Sequence, residues 1–118
     1  IIEMGKALPA LDKNLMTEKY LVKGCQSQVW LVAGLGPDGM LLLKGDSDAL
    51  IVKGLVAVVL DVYNGAPLEE VIRTGPEFIK DLGFEANLSP SRANGLMSMI
   101  KQIRLYAQAY LMMQNKSI

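Results

Sequence analysis

The sequence predicts a single α+β domain, a small three-stranded antiparallel sheet packed against helices. Three observations carry that expectation. The chain has 118 residues, 51% apolar and 20% charged, which suits one compact domain with a real core. Short segments rich in Val, Leu and aromatic residues cluster between Tyr20 and Gly45, with turn residues between them. Beyond Gly45 the patterning shifts to the spacing of helices. No linker, internal repeat or low-complexity tract divides the chain, so residues 1–118 read as one unit.

The opening residues IIEMGKAL place Ile1, Ile2, Met4 and Leu8 at roughly helical spacing, and Pro9 ends the pattern. This reads as the tail of a helix whose beginning lies upstream. The following ALDKNLMTEK is mixed and reads as a surface connection or a short turn of helix. YLVKG and QSQVWLVAGL then read as strands, with Val29, Leu31 and Ala33 on one face and Gln28, Trp30 and Val32 on the other. GLGPDG supplies a reversal, because Pro37 presets φ and Asp38-Gly39 favours a tight turn. MLLLKG returns as the third strand.

GDSDALIVKGLVAVVLDVYNG follows as a largely buried helix, with Asp46 or Ser47 as its cap and Asp48 in the positive first turn. Asn64-Gly65 and Pro67 stop it. PLEEVIRTG and PEFIKDLGF read as short helices that start near proline and end near glycine. The last helix is capped by Ser89 with Pro90 at its first position, and it runs nearly to the end of the chain. Its apolar rhythm is Ala93, Leu96, Met97, Ile100, Ile103, Ala107, Tyr110 and Leu111. Gly54 and Gly95 inside helices each cost about 1 kcal/mol against alanine, so close packing is the reason expected for them.

Composition excludes several function classes. Lys plus Arg equals Asp plus Glu at 12 each, so nucleic acid and anionic membranes find no electrostatic footprint. Aromatic residues are 6% and scattered, too few for a base-stacking platform. No run approaches the ~18 apolar residues of a membrane span. With one cysteine and no histidine, a disulfide framework and a structural zinc site are both out of reach. A lone thiol suits a reducing, cytoplasmic compartment.

That cysteine, Cys25, sits in VKGCQSQVW. Unpaired cysteines are usually buried and inert. Here Gly24 precedes the thiol and Gln26, Ser27 and Gln28 follow it, a polar turn suited to presenting it. Cysteine hydrolases need a base beside the thiol, and this chain has no imidazole to offer. Sulfur exchange asks less: a thiolate attacks a sulfur, holds the product and is attacked in turn. Arg92 is the second candidate, a cation in the first turn of the last helix, where the dipole disfavours positive charge. It could instead be solvated at an exposed end. Helix capping explains Asp46 and Asp48 better than acid–base work does, and the methionines suit a core or an interface better than a metal site.

The blocks VKGCQSQVWLV, GDSDALIVKGLVAVV and LSPSRANGLMSMIKQI together resemble the SufE family of sulfur acceptors, which includes the CsdE proteins. They occur in the family's order, and the resemblance spans nearly the whole chain. IIEMG is similar to the family's N-terminal helix. The resemblance implies a SufE/IscU-like fold and a place beside a pyridoxal-phosphate cysteine desulfurase in iron–sulfur cluster assembly. On that reading Cys25 takes persulfide sulfur from the desulfurase, stimulates it, and passes the sulfur to a downstream iron–sulfur scaffold complex. The chain would then be an activator or co-substrate of an enzyme and not an enzyme itself. Pyridoxal phosphate would belong to the partner, and no cofactor is implied here. Asp48 matches a family position that influences partner binding, and Arg92 matches the family arginine near the cysteine loop. Gly24 and Gln26 join them as residues expected to support the thiolate or meet the partner. The competing readings are an iron–sulfur scaffold and an interaction domain with an inert cysteine. A single thiol is a poor ligand set for the first.

Overall fold

The computed structural model describes residue 6 and residues 11–22, 28–75 and 90–116. The expected N-terminal helix, apart from a helical Lys6, lies outside the described residues, as do the short helix expected at PEFIKDLGF and the Ser89 cap.

Among the described residues two strands form the sheet. β1 (Val29–Leu35) and β2 (Leu41–Ser47) pair antiparallel, from Val29 opposite Ser47 to Leu35 opposite Leu41. The reversal between them is the one the GPDG stretch demands. The Gly39 N–H donates to the Gly36 carbonyl, Asp38 Oδ1 accepts from the Met40 N–H, and Gly39 takes φ +81°, where a side chain would be strained. Val29, Leu31, Leu41 and Leu43 fill the inner face and are buried, as the alternation of β1 requires.

Three of the described helices cover that face. α1 (Leu50–Tyr63) lays Leu55, Val56, Val59, Leu60 and Tyr63 on the sheet. α2 (Leu68–Arg73) adds Leu68 and Val71. α3 (Pro90–Lys116) adds Leu96, Met99, Ile100, Ile103 and Ala107. Each full burial of such a side chain is worth roughly 1.5–3 kcal/mol. The expected rhythm of α3 holds except at Met97, which is exposed while Met99 takes the core position. Gly54 and Gly95 are both buried in their helices, in line with the packing reason expected for them.

The architecture is therefore α+β as expected, but with two strands among the described residues and not three. Tyr20–Val22 contributes a single bridge, Leu21 to Trp30, next to a hydrogen bond from the Val22 N–H to the Val29 carbonyl at 2.7 Å. Further along this edge of β1, helix α3 takes the place of a strand. Tyr106 Oη donates to the Leu31 carbonyl at 3.3 Å and Tyr110 Oη to the Ala33 carbonyl at 3.0 Å. Two tyrosines four apart on a helix, about 6 Å along its axis, meet two carbonyls two apart on a strand, about 6.6 Å along it. The spacing matches, so the edge is occupied without a third strand.

The outer edge of β2 is closed by the turn after α1. The Leu41 N–H donates to the Ala66 carbonyl, the Gly65 N–H to the Leu41 carbonyl, and the Leu43 N–H to Asn64 Oδ1 at 2.8 Å. Gly65 has φ +79°, the left-handed residue that Asn64-Gly65 promised. Both edges of this small sheet are thus shielded from pairing with another chain.

The start of α1 corrects another expectation. Asp46 and Ser47 are strand residues, and Ala49 stands at the helix boundary with no side-chain cap. Asp46 is buried because it ties three segments together. Its carboxylate accepts from the Leu11 N–H at 3.1 Å and from the Ser47 N–H at 2.8 Å, and Lys53 Nζ lies 3.4 Å away. A buried carboxylate needs that many partners to offset its lost hydration.

Candidate functional site

Cys25, with Gly24 and Gln26, lies outside the described residues. The structure describes the residues that flank them in sequence. Val22 is the post on one side, fixed by its N–H to the Val29 carbonyl at 2.7 Å. Gln28 is the post on the other side, immediately before β1.

Three hydrogen bonds hold Gln28. Its N–H donates to Asp48 Oδ1 at 3.0 Å. Its carbonyl accepts from the Asp48 N–H at 3.2 Å and from Ser47 Oγ at 2.8 Å. Ser47 Oγ also accepts from the Ala49 N–H at 3.3 Å, which links the clasp to the start of α1. Asp48 thus uses its carboxylate on the loop and not on the helix dipole, although the sequence places it in the first turn. It is exposed, so its charge faces solvent.

Sequence reasoning singles out Asp48 and misses Ser47 and Gln28 as its associates. An Asp-Ser-Asp run before a helical pattern looks like capping. Only the register of Val29 opposite Ser47 brings Gln28 within reach of both residues. Leu50 and Ile51 follow directly and are exposed, which leaves an apolar step beside the clasp.

Arg92 is in the first turn of α3. Its side chain and the segment holding Cys25 both lie outside the described residues. α3 itself is held against the strand that begins at the loop, through Tyr106 and Tyr110. At its middle, Arg104 donates from Nε and Nη2 to the Ile72 carbonyl at 3.1 and 2.7 Å. That anchors the end of α2 to α3. Burial pushes the Tyr106 hydroxyl above its ordinary pKa of 10.0, with smaller contributions of the same sign from Tyr20 and Tyr110 and an opposing one from a hydrogen bond with Gln102.

Among the described residues no cluster of acidic, histidine or cysteine side chains could hold a metal ion. No described helix is long and apolar enough to cross a membrane.

A two-stranded antiparallel sheet covered by three helices defines a small α+β domain, and the chain's one cysteine lies in sequence just before the first strand. The chain belongs to the SufE family: the family model, described as an Fe-S metabolism associated domain, matches residues 1–107. An uncharacterised SufE-like protein of Rhizobium etli is 46% identical over 108 residues, covering 88% of this chain and 73% of the relative. Another from Rhizobium meliloti is 42% identical over 115 residues, covering 94% and 82%. The solution structure of a hypothetical protein from Thermus thermophilus has the same fold, with a TM-score of 0.78 at 21% identity, over 94% of this chain and 81% of that one. The family ties the chain to iron–sulfur metabolism.

Proposed function

We propose that this protein accepts persulfide sulfur on Cys25 from a cysteine desulfurase and carries it toward iron–sulfur cluster assembly. The observation that supports this best is the frame around the chain's only cysteine. Val22 and Gln28, which flank it in sequence, are each held by hydrogen bonds, and Ser47 and Asp48 clasp Gln28. On this reading the segment between these two held residues offers its thiol to a partner.

The chemistry is an exchange at sulfur. The desulfurase holds sulfur as a persulfide on its own cysteine. The Cys25 thiolate attacks the outer sulfur of that persulfide. The bond between the two partner sulfurs breaks, its electron pair leaves as the partner's thiolate, and a persulfide forms on Cys25. No oxidant or reductant is consumed. A thiol of the downstream scaffold complex repeats the same step and frees Cys25. Removing sulfur clears the desulfurase for its next turnover, so the acceptor stimulates an enzyme without being one. Pyridoxal phosphate stays with the partner.

The clasp on Gln28 supplies position, Asp48 presents a negative charge to the partner, and Gly24 and Gln26 support the thiolate or meet the partner. Arg92 favours the thiolate at Cys25. Leu50 and Ile51 are suited to partner contact. The protein works in the cytoplasm, where thiols stay reduced. The test is the rate of desulfurase turnover with wild type and Cys25→Ser. Stimulation is expected to vanish in the variant while its thermal unfolding is unchanged. Full stimulation by the serine variant would end the carrier mechanism.

A further inference from the structure

The outward face of α3 has a use that the fold leaves open. Met97, Lys101, Leu105, Gln108 and Met112 fall within an arc of about 80° at 100° per residue. The core residues of the same helix centre about 150° away. The apolar members of this stripe are well exposed, Met97 at 45%, Leu105 at 47% and Met112 at 61%. Between Met97 and Gln108 lies a groove of about 240 Å³, bordered also by Arg104 and floored on one side by the core residue Ile100. Its volume falls short of the roughly 300–1,000 Å³ of pockets that enclose small ligands. The stripe runs some 22 Å along the helix axis (15 residues at 1.5 Å each), a shape that suits a second helix.

Charge narrows the occupant. α3 carries Arg92, Lys101, Arg104 and Lys116 and no acidic residue, in a chain whose charges balance at 12 and 12. Arg104 is fixed by the Ile72 carbonyl, so its charge is held in place at the groove. A second copy of α3 would bring cation against cation. We propose that this stripe docks an acidic amphipathic helix of a partner protein, its apolar side chains seated between Met97 and Met112 and its carboxylates toward Lys101 and Arg104. The surface does not depend on Cys25 and is tested without sulfur transfer.

The probe is an 18-residue capped peptide with leucines at helical seam spacing and glutamates flanking them, titrated into the full chain and followed by methyl NMR. Shifts should concentrate at the methyls of Met97, Leu105 and Met112. Affinity should fall about tenfold in Lys101→Glu and again in Leu105→Gln, both at exposed positions that the fold tolerates. Equal binding of a peptide with lysines in place of the glutamates would overturn the proposal. So would binding to phosphatidylglycerol vesicles through these methyls, or self-association through them in sedimentation. Unmoved methyls at millimolar peptide would overturn it as well.

Discussion

Asp48→Ala removes one arm of the clasp on the cysteine loop and leaves the other in place. The lost contact is a backbone N–H donating to a carboxylate at 3.0 Å. Hydrogen bonds to charged groups contribute about 1.5–3 kcal/mol when sheltered. Asp48 is exposed, so water replaces part of that, and about 1 kcal/mol is a fair expectation. The Gln28 carbonyl keeps its bonds from Ser47 Oγ and the Asp48 N–H. Local opening at Gln28 should therefore rise by roughly fivefold without unfolding the sheet. Native-state hydrogen exchange reads this directly. The Gln28 amide should lose about fivefold in protection while the Val32 amide inside β1 keeps its own. Alkylation of Cys25 should accelerate by a similar factor, because opening the post frees the loop. Adding Ser47→Ala should deepen both effects. Unchanged Gln28 protection in the single variant would refute the clasp, and an equal loss at Val32 would show that Asp48 serves global stability instead.

Other expectations follow from the same frame. Burial raises the Tyr106 pKa above the ordinary 10.0, so its contribution is intact below pH ~10 and is lost as pH rises through the folded value. Tyr106→Phe should reduce the alkaline loss of stability seen in denaturant melts and cost under about 1 kcal/mol at neutral pH, since its bond to Leu31 is long at 3.3 Å; identical alkaline profiles would exclude this role. Gly45→Ala should destabilise by about 1–3 kcal/mol in urea unfolding, because a Cβ there would sit 2.9 Å from side-chain atoms of Leu31 and Val56. A neutral result would mean that α1 shifts off the sheet freely. Arg92→Ala should slow sulfur acceptance up to about tenfold near neutral pH and progressively less at higher pH, where Cys25 ionises unaided; a defect constant across pH would assign Arg92 to partner docking.

Much of the fold is legible in the sequence because local signals and tertiary context agree. The GPDG reversal, the Asn64-Gly65 stop and the apolar spacing of α1 and α3 each act within a few residues. The strand expected at YLVKG is only a single bridge among the described residues, because the competitors for its place are remote. Tyr106 and Tyr110 look like ordinary helix residues, and only the packed fold shows their hydroxyls on the edge of β1. The same holds for Asp46 and Ser47. Next to a helix start they resemble caps, yet Asp46 is pulled into β2 by partners at Leu11 and Lys53. At the candidate site, residue types and family resemblance point to Cys25, Asp48, Arg92, Gly24 and Gln26. The part of Ser47 and Gln28 depends on strand register, which no local pattern encodes.

The central claim is that Cys25 receives sulfur from a desulfurase. Intact-mass measurement after incubation with a cysteine desulfurase, pyridoxal phosphate and free cysteine tests it most directly. A gain of one sulfur atom is expected on wild type, reversed by reductant, localised by proteolysis to the peptide holding Cys25, and absent from Cys25→Ser. Wild type of unchanged mass, under conditions where the desulfurase itself carries persulfide, would contradict it.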